Sequence, residues 1–596
     1  MLDRAEGRAS ARQDLWILLG ILLAVSVAKL LWNLPQLREW VFPDPDDAMR
    51  LLQVRDWLAG QSWFDVTQYR LNPPFGAPMH WSRLVDLPLA AVILLTRPLL
   101  GSHGAEMAAL IAVPTITLGL AMLLIYRIAA LLGEGRAALL AAAVAPVSLG
   151  GLTQMRLMRI DHHGWQIVLA LAAVLAVLDS RPRRSALLAG AAVAVWLNIS
   201  LEALPLAAAI GAWFAFNWLF NPLATERLRT YTASLAGFSA LLFAGTHAPS
   251  AWTSLPHDAL NIAHLAAFAA AALCCQLAVR ASITKWRFRL YVLAVAGLSS
   301  AAAMFGVDPH SLQAPFASLD PIVHQIWYDG VREGQPVWRL PLRDAAAALA
   351  QPLVGLIGGC VAIWTCPADR RPGWQAYTFL LAASTLTSVS VVREATSASM
   401  LSLPGTAYLC AMALRRARGV SLMPARVVAT VGALLVMAPA YAVPTAVAPG
   451  SNEGKAAARS NDACVQSSEV AKLNALPPSI LAVPLDITPA ILVATAHKAV
   501  GSGHHRNVSG IRDMILLFVR TPDKASEILQ RRHIDYVVFC PRTSETLWWA
   551  ANGPNGLAAM LNDNKAPDWL EPARVPGLRA LQVWRVRKER LAALKS

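Results

Sequence analysis

Long apolar stretches recur along almost the whole of this chain, and they leave few folds open to it. Thirteen stretches long enough to span a bilayer, or nearly so, fall at residues 14–33, 106–131, 137–152, 165–179, 185–199, 203–219, 231–247, 259–279, 289–305, 345–366, 375–391, 398–414 and 425–445. A helix needs about 20 apolar residues to cross the hydrocarbon core. Only 15% of the 596 residues are charged, where a soluble domain carries about 25%. The expected fold is a polytopic α-helical membrane protein with about thirteen transmembrane helices.

The basic residues fix the expected orientation. With the N-terminus in the cytoplasm, the cytoplasmic loops hold Arg136, the Arg181–Arg184 cluster, Arg227 and Arg229. They also hold Lys285, Arg287 and Arg289, then Arg370 and Arg371, then Arg415, Arg416 and Arg418. This is the positive-inside pattern, and it accounts for the net charge of +15 without nucleic acid, for which no recognition motif is present. Residues 87–100 must then lie on or partly in the membrane, because Pro88, Arg97 and Pro98 interrupt them and a further span would invert the arginines. The first span, behind Arg4, Arg8 and Arg12, continues past Ser26-Val27-Ala28 and is expected to stay uncleaved. The protein is expected in the bacterial inner membrane, with loops 34–105 and 306–341 outside.

Residues 1–449 form the expected transmembrane domain. Residues 450–596 change character, opening on the polar run Ser451–Lys455. A strand is predicted from Ser479 to Leu485, a helix from Glu527 to Arg532 and a buried strand from Ile534 to Phe539. A helix followed by a short apolar strand is an α/β pattern, so a small extracytoplasmic α/β domain is expected, of which 450–596 are the residues. Of seven cysteines, Cys274, Cys275, Cys360, Cys366 and Cys410 lie in or beside apolar segments and read as packing residues. Cys464 and Cys540 are the two in the C-terminal part, and outside the cytoplasm they are expected to pair as a disulfide.

Two acidic clusters lie just beyond spans on the same predicted side. Asp44, Asp46 and Asp47 follow the first span; Arg159-Ile160-Asp161-His162-His163 precedes the fourth. Carboxylates there need water, a partner or a metal. Oxygen ligands suit Mg²⁺ or Mn²⁺. Three neighbouring carboxylates repel unless a cation or arginine neutralises them. The alternative is a solvated turn with an aspartate N-cap to a helix beginning near Ala48, which needs one Asp and not three. Asp161 and His163, two apart, can face the same way on an extended loop. Loop 306–341 carries Asp308, His310, Asp320, His324, Asp329 and Glu333, and is longer than a connector needs. Arg393 stands at the end of a span, where it can bind a lipid phosphate or reach the interface. His504-His505-Arg506-Asn507 is weak as a metal site and is a candidate for substrate contact.

Together these residues resemble the GT-C superfamily of polytopic glycosyltransferases, and within it the catalytic subunit of oligosaccharyltransferase. Asp44-Pro45 with Arg50 looks like its Asp-Pro-x-x-x-x-Arg motif, and Asp161-His162-His163 like its second acidic motif. Val331 to Pro336 is similar to a Val-x-Glu-x-Gln-Pro segment, and Arg393 to a late-span arginine. The resemblance implies a divalent cation held by Asp44 or Asp46, Asp161 and His163. It further implies catalytic roles for Asp44, Asp46 and Glu333, with Glu333 near the acceptor, and a donor phosphate on Arg393. The implied donor is a polyprenyl-phosphate- or -diphosphate-linked sugar, and the implied acceptor a glycan, lipid or protein.

One motif departs from the family. Trp548-Trp549 is followed by Ala550-Ala551 in place of the sequon-reading Trp-Trp-Asp-Tyr-Gly, so Asn-linked protein glycosylation is not implied. The rival class is a transporter or flippase of lipid-linked sugars, which would place its ionisable residues near the bilayer midplane. A scaffold for envelope synthesis is a third reading.

Overall fold

Every one of the thirteen apolar stretches contains helix in the computed structural model. The structure describes residues 2–133, 135–280, 285–311, 313, 316–317, 319–437 and 463–593. The end of the last stretch, the Ser451–Lys455 run and the boundary between 449 and 450 lie outside the described residues. Six described helices are long and apolar enough to cross a membrane: Arg12–Trp32, Arg83–Leu131, Leu201–Phe220, Trp286–Val307, Leu342–Thr365 and Val392–Arg418. Four shorter apolar helices accompany them, at Ala137–Thr153, His163–Val177, Ile262–Ala278 and Met423–Leu435. Thr225–Thr246 is long enough, but it begins with Glu226, Arg227 and Arg229. The chain is a helical integral membrane protein.

Residues 87–100 belong to the first arm of the Arg83–Leu131 helix, which breaks at Gly101 (φ 69°). That left-handed φ is open to glycine at little cost. It lets one apolar run turn between two directions. Elsewhere small residues bring backbones together. A Cβ added at Gly358 or Gly405 would run into the backbone of the facing helix, so Leu342–Thr365 and Ala395–Arg418 pack without side chains between them. Tyr377 reinforces the contact: its hydroxyl donates to the Leu401 carbonyl (2.7 Å) and accepts the Gly405 N–H (3.0 Å).

Residues 463–593 carry a five-stranded sheet. Its strands are β3 (Ile480–Ala482), β4 (Lys498–Ala499), β5 (Tyr536–Phe539), β6 (Leu570–Pro572) and β7 (Gln582–Val586), in the order β4-β3-β5-β7-β6. β3 runs parallel to β4 and β5, while β7 is antiparallel to β5 and β6. The predicted Ser479–Leu485 strand is shorter, and the predicted helix starts earlier, at Pro522. Pro484, which lacks an N–H, limits the strand on its C-terminal side. Cys464 and Cys540 are joined, with Cα atoms 6.1 Å apart.

Loop 34–105 is stitched to this sheet. It holds a small hairpin, β1 (Thr67–Gln68) with β2 (Ala77–Pro78). Residues 70–72 extend the free edge of β4: the Ala499 N–H donates to the Arg70 carbonyl (2.9 Å) and the Asn72 N–H to the Ala499 carbonyl (2.8 Å). Arg55 bonds Glu106 and the Val493 carbonyl at 2.7 Å each. Loop 306–341 is held as well, because Val323 and Ile326 pack in the same core as Ile515, Phe518 and Phe539. The sheet region therefore clamps both long loops, and the candidate site lies where they meet.

Candidate active site

Asp44, Asp46 and Asp47 have three different local settings. Asp44 is the N-cap of the Pro45–Leu58 helix, with Oδ1 accepting the Asp46 N–H (3.0 Å). Pro45 suits the first helical position, where no N–H is needed. The Oδ2 of Asp44 meets Arg159 at 3.1 Å. Asp47 is wholly buried; its Oδ1 accepts the N–H groups of Ile160 and Asp161 at 2.9 Å each, and Oδ2 lies 3.2 Å from Arg159. It clamps the second acidic cluster onto the first. Asp46 makes neither kind of bond: its Oδ1 lies 3.2 Å from His504 Nε2. Burial opposes the Asp46 charge, but His504 holds its carboxyl below the usual carboxylate range. Burial pushes Asp44 up; Arg159 opposes this, and the charges of Asp46 and Glu333 add to it.

Asp161 is buried among cations. Its Oδ1 meets Arg50 at 3.4 Å and His162 at 2.5 Å. Burial disfavours its charge, yet His162, His163 and then Arg159 hold it well below the usual range. Its Oδ2 has no hydrogen-bond partner among the described residues and lies 3.4 Å from His163 Nε2. The orientation of that ring follows from its other nitrogen. Gln166 Nε2 donates to Glu202 (2.7 Å), which turns Gln166 Oε1 toward His163 Nδ1 (2.7 Å). In the neutral imidazole the proton then sits on Nδ1, and the Nε2 lone pair faces that carboxylate oxygen, which Arg159 Nη2 approaches at 3.8 Å. Two acceptors 3.4 Å apart repel unless a proton or a cation lies between them. Candidate ligand atoms of Asp161, His162 and His163 all fall within 4.8 Å of one another. This donor set fits a divalent cation.

The same relay leads to the arginine. Glu202 pairs with Arg393 Nε at 3.2 Å, and Glu333 lies 3.8 Å from Arg393 Nη1. The Val392 N–H donates to the Gln335 carbonyl (3.1 Å), which joins the Val331–Pro336 segment to the arginine's turn. Behind the cations, Arg50 and Arg83 meet Asp86 at 3.0 and 3.1 Å, and Arg50 lies over the Trp81 ring at 4.6 Å.

Comparison with known proteins supplies the architecture. No family model and no curated protein matches the chain. Solved structures do. The archaeal oligosaccharyltransferase AglB from Archaeoglobus fulgidus, in complex with an inhibitory peptide and a dolichol-phosphate, aligns at a TM-score of 0.65 and 14% identity over 91% of this chain and 72% of that one. Its apo form aligns at 0.62 and 14% over the same shares. Its complex with Zn and sulfate aligns at 0.57 and 13%, over 91% and 70%.

The fold is that of the GT-C glycosyltransferases.

On that GT-C frame, Asp44, Asp46, Asp161, His163, Glu333 and Arg393 lie in one connected network of charges. Sequence reasoning passed over Gln166 and Glu202, which link His163 to Arg393. Glu202 stands in the turn before an apolar helix, as Asp161 does, and that was the available signal. It also passed over Asp486. Although Asp486 keeps solvent exposure, desolvation beside the cluster and then the charges of Asp44 and Asp46 push its carboxyl up. His504 comes from the C-terminal sheet region to Asp46. Its neighbours His505 and Arg506 latch onto Asp258 instead, at 2.7 and 2.8 Å. Trp548 donates to the Ile326 carbonyl (2.9 Å), and Trp549 is core.

Proposed function

We propose that this chain is a metal-dependent membrane glycosyltransferase that moves a sugar or oligosaccharide from a polyprenyl-phosphate-linked donor to an extracytoplasmic acceptor. We propose an inner-membrane location with a cytoplasmic N-terminus, a catalytic domain of residues 1–449 and a periplasmic α/β domain of residues 450–596. The observation that carries the reading is Asp161 Oδ2, without a hydrogen-bond partner among the described residues, facing His163 Nε2, a ring linked through Gln166 and Glu202 to Arg393.

Asp46, Asp161 and His163 would hold the cation. Asp44 joins them, because each of its oxygens keeps a second lone pair beyond the contact it makes. A bound Mg²⁺ or Mn²⁺ would act as a Lewis acid on the phosphate oxygens. Arg393 binds the donor phosphate by charge-assisted hydrogen bonds, and Glu202 orients its guanidinium. Glu333 receives the acceptor proton as the acceptor heteroatom bonds to the sugar's anomeric carbon. The anomeric C–O bond to phosphate breaks, and the phosphate leaves with the electron pair. Asp44 and Asp46 would flank the same reacting centre.

The acceptor is a glycan, a lipid or a protein, and the departure at Trp548-Trp549 removes the reason to favour a protein. Purified protein in detergent, with a radiolabelled polyprenyl-phosphate sugar and an envelope extract as acceptor, tests the reading. Label should pass to the extract in Mn²⁺, stop in chelator, and stop with Asp161→Asn. Activity seen solely in sealed vesicles, as movement of unchanged lipid-linked sugar, would establish a flippase instead.

A further inference from the structure

The Leu342–Thr365 helix is divided lengthwise. Gly355 and Gly358 are buried against Ser402 and Gly405 of the facing helix. Leu342, Leu353, Ile357, Cys360 and Trp364 are exposed, and their spacing draws one stripe down the other side. Charge ends at Arg343 and Asp344. The uncharged run from Ala345 to Thr365 is about 31 Å long at about 1.5 Å per residue, close to the hydrocarbon thickness of about 30 Å. The stripe therefore faces lipid along the whole span. It carries Trp364, 84% exposed, near one end and Leu342, 86% exposed, at the other. Trp338, 69% exposed, lies just before Leu342 in the chain. Tryptophans at both ends of a span mark the two membrane–water interfaces.

Trp338 is also tied to the candidate site. It sits in the Val337–Arg339 turn, and Arg339 Nη1 donates to Gln335 Oε1 (3.2 Å). Gln335 is buried; its Nε2 donates to the Tyr328 carbonyl (3.3 Å), and its own carbonyl accepts the Val392 N–H (3.1 Å). Val392 precedes Arg393, whose Nη1 lies 3.8 Å from Glu333. One short stretch of chain thus carries the indole at one end and Glu333 at the other, with Gln335 pinned to the arginine's turn between them. An indole left in water forgoes burial worth about 25 cal/mol per Å² of apolar surface. A protein partner on this ring would have to displace the lipid that covers Leu342 and Leu353 beside it. The headgroup layer covers the ring without that displacement, because it offers apolar contact to the body of the indole and water to its N–H.

We propose that Trp338, with Leu342, is a membrane anchor that seats loop 306–341 in the headgroup layer, and that the partner of this surface is the phospholipid bilayer itself. Its purpose rests on the glycosyl-transfer reading: the phosphate of a lipid-linked donor stands in that layer, and the anchor holds Glu333 and Arg393 level with it. The lipid contact can be measured without turnover.

Photo-crosslinking of the full chain in its native membrane tests it, with benzoylphenylalanine in place of Trp338 and mass spectrometry of the adducts. Bulk phospholipid adducts are expected. Adducts confined to a second copy or another protein, adducts confined to a polyprenyl phosphate, or no adduct at all would overturn the anchor. A nitroxide on Leu342→Cys, with the five free cysteines replaced, should be relaxed more by oxygen than by a water-soluble nickel chelate in nanodiscs; the reverse order overturns the anchor as well. In turnover, Trp338→Asp should raise the KM of a full-length polyprenyl donor about tenfold and leave a short, water-soluble donor unchanged, while Trp338→Tyr stays near wild type. Equal losses with both donors would overturn the role of the anchor, and the crosslinking decides the contact if Trp338→Asp does not fold. Transfer without phospholipid adducts overturns the anchor alone; phospholipid adducts without transfer from any donor overturn the enzyme reading alone.

Discussion

Replacing Asp47 by asparagine tests whether one buried carboxylate sets the position of Asp161. Its Oδ1 accepts two backbone N–H groups at 2.9 Å each, and its Oδ2 faces Arg159 at 3.2 Å. Burial pushes the Asp47 carboxyl up to about 7, against the pull of Arg159, so the effect is measured at about pH 8, where it is ionised. Hydrogen bonds to a charged group contribute about 1.5–3 kcal/mol, against about 0.5–1.5 for neutral pairs. Asparagine keeps the shape and one oxygen, so each of the two backbone bonds weakens by about 1 kcal/mol. Its NH₂ group then points at the Arg159 guanidinium, a donor against a donor. Losing one partner of a buried ion pair costs about 3–5 kcal/mol. Here the loss is smaller, because Asp44 (3.1 Å) and Asp161 (3.8 Å) still face Arg159. A total of about 3–4 kcal/mol follows, which is roughly a hundredfold or more in an equilibrium constant. The strain falls on the Ile160–Asp161 backbone that carries the proposed ligands. Isothermal titration of Mn²⁺ into purified Asp47→Asn should therefore show a Kd raised by roughly 10–100-fold, with part of the energy appearing as a lower melting temperature. Wild-type Mn²⁺ affinity together with a wild-type melting curve would refute the clamp.

Arg393→Ala should chiefly raise the donor KM, by about 10–100-fold for a lost charge-assisted contact, whereas Glu333→Gln should lower kcat with little change in donor binding; steady-state kinetics with varied donor separates them, and equal effects on both constants would undo the assignment. Single cysteines at the exposed positions Ser62 and Asn474 should react with an impermeant thiol reagent in intact cells, and one at Ser180 should not; labelling at Ser180 with none at Ser62 would invert the proposed topology. Cys464→Ala with Cys540→Ala should make residues 463–593 more sensitive to limited proteolysis, since opening a link across 76 residues removes about 4–5 kcal/mol, and unchanged cleavage kinetics would count against a stabilising bridge.

Local chemistry was legible in the sequence. The apolar runs are helices because a backbone in hydrocarbon must satisfy its own hydrogen bonds. The Asp44-Pro45 step gave both a cap and a candidate ligand, and the structure finds the cap, with Asp44 bonded to the N–H of Asp46. The apolar run ending in Val537-Val538-Phe539 is a strand at the centre of its sheet. The division of labour among Asp44, Asp46 and Asp47 was not legible, because it depends on where Arg159 and His504 arrive, and they are more than 100 and 450 residues away along the chain. The Gln166–Glu202–Arg393 relay joins three helix ends that no periodicity relates. Asn507-Val508-Ser509 makes the same point in reverse. As a triplet it matches a glycosylation acceptor, yet folded Asn507 is buried, capping a helix and donating to the Val500 carbonyl. Sequence fixes which groups can ionise, cap or cross a membrane, since those properties belong to one residue and its neighbours. Which carboxylate keeps a partner and which is left to face a histidine is decided by packing, because the interacting groups meet only after the chain has closed loops of more than a hundred residues.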